Sequence, residues 1–211
     1  MKYLLLLIMA FAIALKPFAQ QRVIAECTIT YAISVDSTST DNKLVESLKY
    51  ATKTVYIKGN NCRTDLISPA FTQSVFYNKA KASATILREF GSNKFITILD
   101  SFKWLLEHSE FDSMKTIITN DTRKIVGYDC KKALLQLKNG KVYELYFTSA
   151  LLPSVREFEY EFKDIPGLVL AYEVQSKDGK KVFYTATKIN LSPVSASRFD
   201  IPTTGYRFLE K

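Results

Sequence analysis

The sequence predicts a mainly β chain of α+β type: one large antiparallel sheet that curls, with one or two helices covering its concave face. Three observations predict it. Residues Arg22 to Asp36 alternate apolar and polar side chains over the length of a long strand. Short β-type runs then follow one another, separated by turn residues, in the manner of a meander. One capped helical segment near Asp100 interrupts that rhythm once.

Before the first strand, Lys2 gives a positive start, Tyr3 to Leu15 is an unbroken apolar run, and Pro17-Phe18-Ala19 leads to Gln20. This is the layout of a secretory signal peptide, too short for a comfortable membrane span, with cleavage expected after Ala19. An uncleaved amino-terminal anchor is the alternative, which Lys16 and Pro17 disfavour. Residues 20–211 are then expected to form one domain in a periplasmic or secreted compartment, oxidising and free of ATP. In the first strand Val23, Ala25, Cys27, Ile29, Tyr31, Ile33 and Val35 face one way, while Glu26, Thr28, Thr30 and Ser34 face the other. Ser37 to Asn42 reads as a polar loop and Lys43 to Tyr50 as one or two helical turns.

The runs Thr54–Lys58, Cys62–Ile67, Phe71–Tyr77, Ala84–Phe90 and Lys94–Leu99 follow, with Gly59-Asn60-Asn61, Ser68-Pro69 and Gly91-Ser92-Asn93 as turns. Asp100 or Ser101 caps a helix through Glu107, with Phe102, Leu105 and Leu106 on one side and Trp104 near it. Strands are predicted again at Met114–Ile118, Gly127–Leu137, Lys141–Thr148, Leu168–Ser176 and Lys181–Leu191. Asn139-Gly140 and Asp178-Gly179 are the strongest hairpin signals. Val155 to Phe162 fits a strand or an amphipathic helix, and the tail from Ser195 is expected to pack in extended form. About ten strands in one sheet must curl. An apolar concave face then needs a helix lid or a ligand inside it.

Composition narrows the chemistry. The net charge is +8, and loss of Lys2 and Lys16 with the signal peptide lowers it to +6. That excess suits anionic envelope surfaces better than nucleic acid, because the basic residues are scattered. The one histidine, His108, falls on the predicted helix and reads as a surface or capping residue. No metal cluster, nucleophile elbow or phosphate loop is visible, so neither catalysis nor a cofactor is expected. Glu157, Glu159 and Glu161 read as a solvated face opposite Phe158, Tyr160 and Phe162. Cys27 reads as a buried structural thiol. Cys62–Cys130 is the expected disulfide, with three free thiols as the alternative.

Two stretches carry a resemblance. Thr119 to Ala133 (TNDTRKIVGYDCKKA) is similar to the K-x-I-x-G-Y-x-C-x-K-A segment of the GLPGLI family of secreted envelope proteins. Ile165-Pro166-Gly167-Leu168-Val169-Leu170 resembles the segment that names that family, with Ile165 in place of Leu. Leu168 to Glu210 also looks like the closing strands of LolA/LolB-type carriers, through Ala171-Tyr172-Glu173, Asp178-Gly179, Phe199-Asp200-Ile201-Pro202 and Gly205. The resemblance implies an unclosed half-barrel around a helix, an outer-membrane-facing location, no catalysis, and a hollow of the kind that holds acyl chains.

The expected function is therefore non-enzymatic binding of a hydrophobic ligand, a lipid or lipoprotein acyl chain, with a possible outer-membrane or envelope protein partner. Tyr31, Ile33, Leu168, Leu170 and Tyr172 are the candidate lining residues, and Trp104, Leu105 and Leu106 the candidate plug or lid. The alternative is a structural or protein-interaction module of the cell envelope whose core is filled by its own helix.

Overall fold

The computed structural model describes residues 21–35, 48, 50–175, 181–202 and 204–210. The expected signal peptide, the 37–42 loop, most of the 43–50 segment and the Asp178-Gly179 turn lie outside the described residues.

The first alternating segment divides at Ala25 into β1 (Arg22–Ile24) and β2 (Glu26–Val35). The break reverses the facing of side chains: Ile24 is buried and Val23 exposed, whereas Cys27, Ile29 and Tyr31 are buried beyond it. The expected meander follows as β3 (Thr52–Lys58), β4 (Asn61–Ile67), β5 (Thr72–Asn78), β6 (Ser83–Phe90) and β7 (Asn93–Leu99). Helix α1 (Ser101–Glu107) comes next, then β8 (Lys115–Ile125), β9 (Tyr128–Gln136), β10 (Val142–Thr148) and the short β11 (Leu151–Pro153). Strands β12 (Leu168–Gln175), β13 (Lys181–Asn190) and β14 (Arg207–Phe208) complete the order. Val155–Phe162 is neither strand nor helix. It is an irregular segment ending in a single 3-10 turn, Tyr160–Phe162.

Twelve strands form one sheet in the order β14-β7-β6-β5-β4-β3-β2-β13-β12-β10-β9-β8, while β1 and β11 pair separately in parallel. The sheet curls without closing and makes an unclosed half-barrel. Its pairings are antiparallel except at β14–β7. The joint between the halves is β2 against β13, where Tyr31 faces Ala186 and Ile33 faces Tyr184.

Register turns the sequence alternation into layers on the concave face. Cys27, Ile57, Cys62, Tyr77, Ala84 and Leu99 form one cross-strand row, and Ile29, Val55, Thr64, Val75, Ile86 and Thr97 form the next. Tyr31, Lys53, Leu66, Gln73 and Arg88 make a third. Two pieces of chain cover these rows. Helix α1 contributes Trp104, whose ring lies 5.0 Å from that of Tyr77. The 155–165 segment contributes Val155, Tyr160, Phe162 and Ile165 to the same core. On the convex side Phe76, Leu87 and Ile96 are covered by Tyr206 of the tail, which is not extended throughout, since Ala196–Phe199 forms a 3-10 turn.

The expected Cys62–Cys130 disulfide is not formed. Cys27, Cys62 and Cys130 are three buried free thiols. Cys62 is on β4 and Cys130 on β9, with β3, β2, β13, β12 and β10 between them. The thiol that shares a cross-strand row with Cys62 is Cys27, and Ile57 separates the two. Sequence spacing carries no information on that strand order.

Candidate functional site

Between the third row of the sheet, α1 and the 155–162 segment lies a cavity of ≈ 330 Å³. Leu66, Val75, Ile86, Trp104, Phe158 and Val174 supply its apolar wall. Lys53, Glu107, His108, Glu159, Glu161, Tyr172 and Tyr184 supply polar atoms. It is an amphipathic hollow, not the uniformly greasy one that the composition suggests.

The polar end is built on a cross-strand pair. Tyr172 of β12 lies directly opposite Tyr184 of β13, so the two rings stack with centroids 4.7 Å apart and planes 5° from parallel. Lys53 occupies an inward position of β3 beside Tyr31, and its side chain passes over these rings, 5.0 Å from Tyr172 and 5.2 Å from Tyr184. The Lys53 ammonium donates to the Tyr172 hydroxyl and pairs with the Glu159 carboxylate. Tyr31 donates its hydroxyl to the Val169 carbonyl at 2.8 Å. Phe162 meets Tyr172 edge-on at 4.9 Å.

Burial sets the protonation of this cluster. It pushes the Tyr31 and Tyr172 phenols well above their ordinary range, with the Glu159 charge adding to the effect. Tyr184 is pushed up to about 12 for the same reasons. All three therefore stay neutral. Glu161 keeps some contact with solvent through the cavity, yet it is surrounded by enough protein that burial raises its carboxyl far above the usual carboxylate range. The neighbouring Glu159 charge is the second cause, and the Glu161 carboxyl is hydrogen-bonded to Glu159.

His108 is the C-cap of α1. Its Nδ1–H donates to the Trp104 carbonyl at 2.8 Å, and its ring packs against Trp104, tilted by 41° with centroids 4.1 Å apart. This is the capping role that the sequence suggests. Among the described residues no three His, Cys, Asp or Glu side chains are grouped to hold a metal.

The sequence-predicted residues are placed unevenly. Tyr31, Leu168 and Tyr172 line the small cavity beneath the 155–162 segment, and Tyr172 and Trp104 line the large one. Leu170 does not line either; it is fully buried in the core. A bulge is the reason, since Tyr146 pairs with Ala171 and Phe147 with Val169, leaving Leu170 outside the ladder. Ile33 packs instead in a separate cluster with Leu48, Ala51 and Val182. Leu105 and Leu106 point to solvent, 48% and 61% exposed, so Trp104 is the one apolar residue of α1 that acts as a lid.

Sequence reasoning missed Lys53, Glu159, Glu161 and Tyr184. Lys53 had a signal: it stands at an inward position between Ala51 and Val55, where alternation calls for an apolar residue. Glu159 and Glu161 had none, because the irregular path of their segment takes both carboxylates into the cavity. The solvated reading of that triplet is therefore corrected. Only Glu157 meets a surface partner, Lys79 at 3.4 Å.

No protein-family profile and no curated protein matches this chain. Solved structures match it in shape. An uncharacterized conserved protein from Thermus thermophilus superposes with a TM-score of 0.51 at 8% identity, over 89% of this chain and 91% of the other, and shares its fold. PNGF-II superposes with a TM-score of 0.46 at 16% identity over 88% of this chain, which spans only 31% of the length of PNGF-II. A LolA superfamily protein from Nitrosomonas europaea gives a TM-score of 0.33 at 11% identity, over 83% of this chain and 90% of that one. The GLPGLI resemblance rests on its two motifs alone.

Proposed function

We propose that this chain is a non-enzymatic binding protein of the cell envelope that holds an amphiphile in the hollow of its half-barrel. The observation that carries the reading is the ≈ 330 Å³ that the described residues leave unfilled between sheet, α1 and the 155–162 segment. That volume is within the range of small-molecule sites, and its apolar wall with a few convergent polar groups is the usual composition of one. Each methylene sequestered there contributes about 0.8 kcal/mol. An envelope location is supported by the amino-terminal signal pattern. Organic extraction of protein purified from its native compartment, followed by mass spectrometry, tests the proposal. A recovered amphiphile is expected, and no amphiphile together with no uptake of a lipophilic fluorophore sinks it.

A second reading, an interaction module of the envelope, has its own support in the exposed apolar face of α1, where Phe102, Leu105 and Leu106 point to solvent. Cross-linking in intact cells separates the two: a stoichiometric protein partner without bound lipid favours the module.

A further inference from the structure

The chain as a whole is basic, at +8, but its hollow is lined by more carboxyl groups than basic ones. The large cavity is bordered by Glu107, Glu159 and Glu161 against a single lysine, Lys53. A second cavity of ≈ 140 Å³ shares Glu161, Tyr172 and Val174 with it, and adds Glu110, Glu144 and Glu173 with no basic side chain. Glu144 and Glu173 are answered from outside, by Lys132 at 2.9 Å and Lys181 at 3.0 Å. Lys53 is engaged by Glu159 and Tyr172. Glu161 stands where the two cavities meet, hydrogen-bonded to another acid. The groups around it are Lys53 from β3, Tyr143 and Glu144 from β10, Tyr172 and Glu173 from β12, Tyr184 from β13, Glu107 from α1 and its cap His108, Glu110 from the turn after α1, and Glu159 from its own segment. Lys53 is the one lysine or arginine among them.

A second, independent feature is in the same wall. Trp104 is 3% exposed, and its indole N–H is the one buried side-chain polar atom among the described residues that has no hydrogen-bond partner. A buried donor without an acceptor is costly, so an occupant that offers one is favoured.

Resting on the amphiphile reading above, we propose that the polar end of the hollow receives a head that carries an ammonium group beside an oxygen acceptor. The ammonium pairs with Glu161 and Glu159, and the oxygen accepts from Trp104. Anionic heads, such as a fatty-acid carboxylate, meet the same carboxylates and are rejected. Pairing also moves a proton. Glu161 holds its proton in the free protein through burial and the Glu159 charge, and an arriving cation reverses that preference. The Glu161 carboxyl then gives its proton to bulk buffer as the ammonium binds, and affinity rises with pH until Glu161 is ionised in the free protein.

Titration calorimetry on delipidated full-length mature protein tests this with dodecylamine, dodecanol, dodecanoate and an amino alcohol of equal chain length. It is run at about pH 6.5, where Glu161 is protonated, in two buffers of different ionisation enthalpy. Dodecylamine is expected to bind at least about tenfold more tightly than dodecanoate and to release protons. The amino alcohol is expected to outbind dodecylamine, an advantage lost in Trp104→Phe. Glu161→Gln, shown to be folded by its cooperative thermal unfolding, is expected to abolish proton release and to bring the amine down to the affinity of dodecanol. Equal or tighter binding of dodecanoate, or proton release that survives Glu161→Gln, overturns the ammonium assignment and leaves the amphiphile reading standing. An amino alcohol no better than dodecylamine overturns the role of Trp104. If dodecanol also fails to bind, both the assignment and the reading beneath it fall.

Discussion

Individual residues carry constraints that a composition count hides. Val126 and Gly127 form the two-residue turn between β8 and β9, with φ of 48° and 81°, and Ile125 pairs with Tyr128 across it. Such a turn needs positive φ at both central positions, which glycine adopts freely and a β-branched residue resists. Val126→Asn is expected to stabilise the protein by about 0.5–1 kcal/mol, read as a higher denaturant midpoint at unchanged slope. Gly167 is constrained differently. A Cβ there would stand 2.1 Å from the Thr148 carbonyl oxygen, a backbone atom that cannot move aside. Gly167→Ala should therefore cost about 1–3 kcal/mol, with thermal unfolding as the measurement. Glu161 gives a pH signature. Its folded-state carboxyl is raised from the ordinary value of 4.5 to about 8, so over that window the folded protein holds a proton that the unfolded chain has lost. Stability must fall as pH rises through this range and level off above it. In Glu161→Gln that slope is absent, and the variant's gain in melting temperature over wild type should be larger at about pH 8 than at about pH 5.

At the scale of elements, α1 is short and depends on two attachments. Asp100 caps it by accepting from the Lys103 backbone N–H at 2.8 Å, and Trp104 is its single buried residue. Asp100→Ala should cost about 1 kcal/mol and, because the helix is one wall of the hollow, should raise binding of an environment-sensitive apolar dye. A dye signal identical to wild type would mean that the wall is held by Trp104 alone. The cap was legible in the sequence, as were the strands from β3 to β7, since local turn chemistry and period-two alternation specify them. Elements set by long-range pairing were not. Residues 151–153 become β11 only because β1 lies alongside, with Arg22 opposite Leu151. The β8 strand extends to Ile125, beyond the predicted end at Ile118, because the ladder resumes at Thr122 opposite Lys131 after an irregularity. The site divides the same way. Tyr31 and Tyr172 follow from alternation along one strand, whereas Leu170 is displaced by a bulge that only its partner strand reveals.

At the scale of the whole molecule, the described residues of the half-barrel do not fill its hollow. A closed barrel of fewer strands would pack its interior with side chains, but twelve strands in an open curl leave a hollow that α1 and the 155–162 segment cover only in part. Space of that kind lowers stability, because lining atoms lose contacts on one side. If the hollow is kept for an occupant, filling it from within should exchange binding for stability. Val75 is the position to use. It lies in the middle of its cross-strand row between Thr64 and Ile86, and borders the cavity without being fully enclosed. A phenyl ring there extends into open volume instead of into a packed neighbour, so the usual cost of about 1–3 kcal/mol for overpacking does not apply. Val75→Phe is expected to unfold at a temperature equal to or above that of delipidated wild type, and to lose uptake of lipophilic fluorophore and of dodecanol. Wild type should instead gain stability on adding ligand, by about 2.7 kcal/mol at a hundredfold excess over Kd, and Val75→Phe should gain none. A variant that melts well below wild type would show the space around Val75 to be already occupied by protein, and one that still takes up the probe would place the binding surface elsewhere on the molecule.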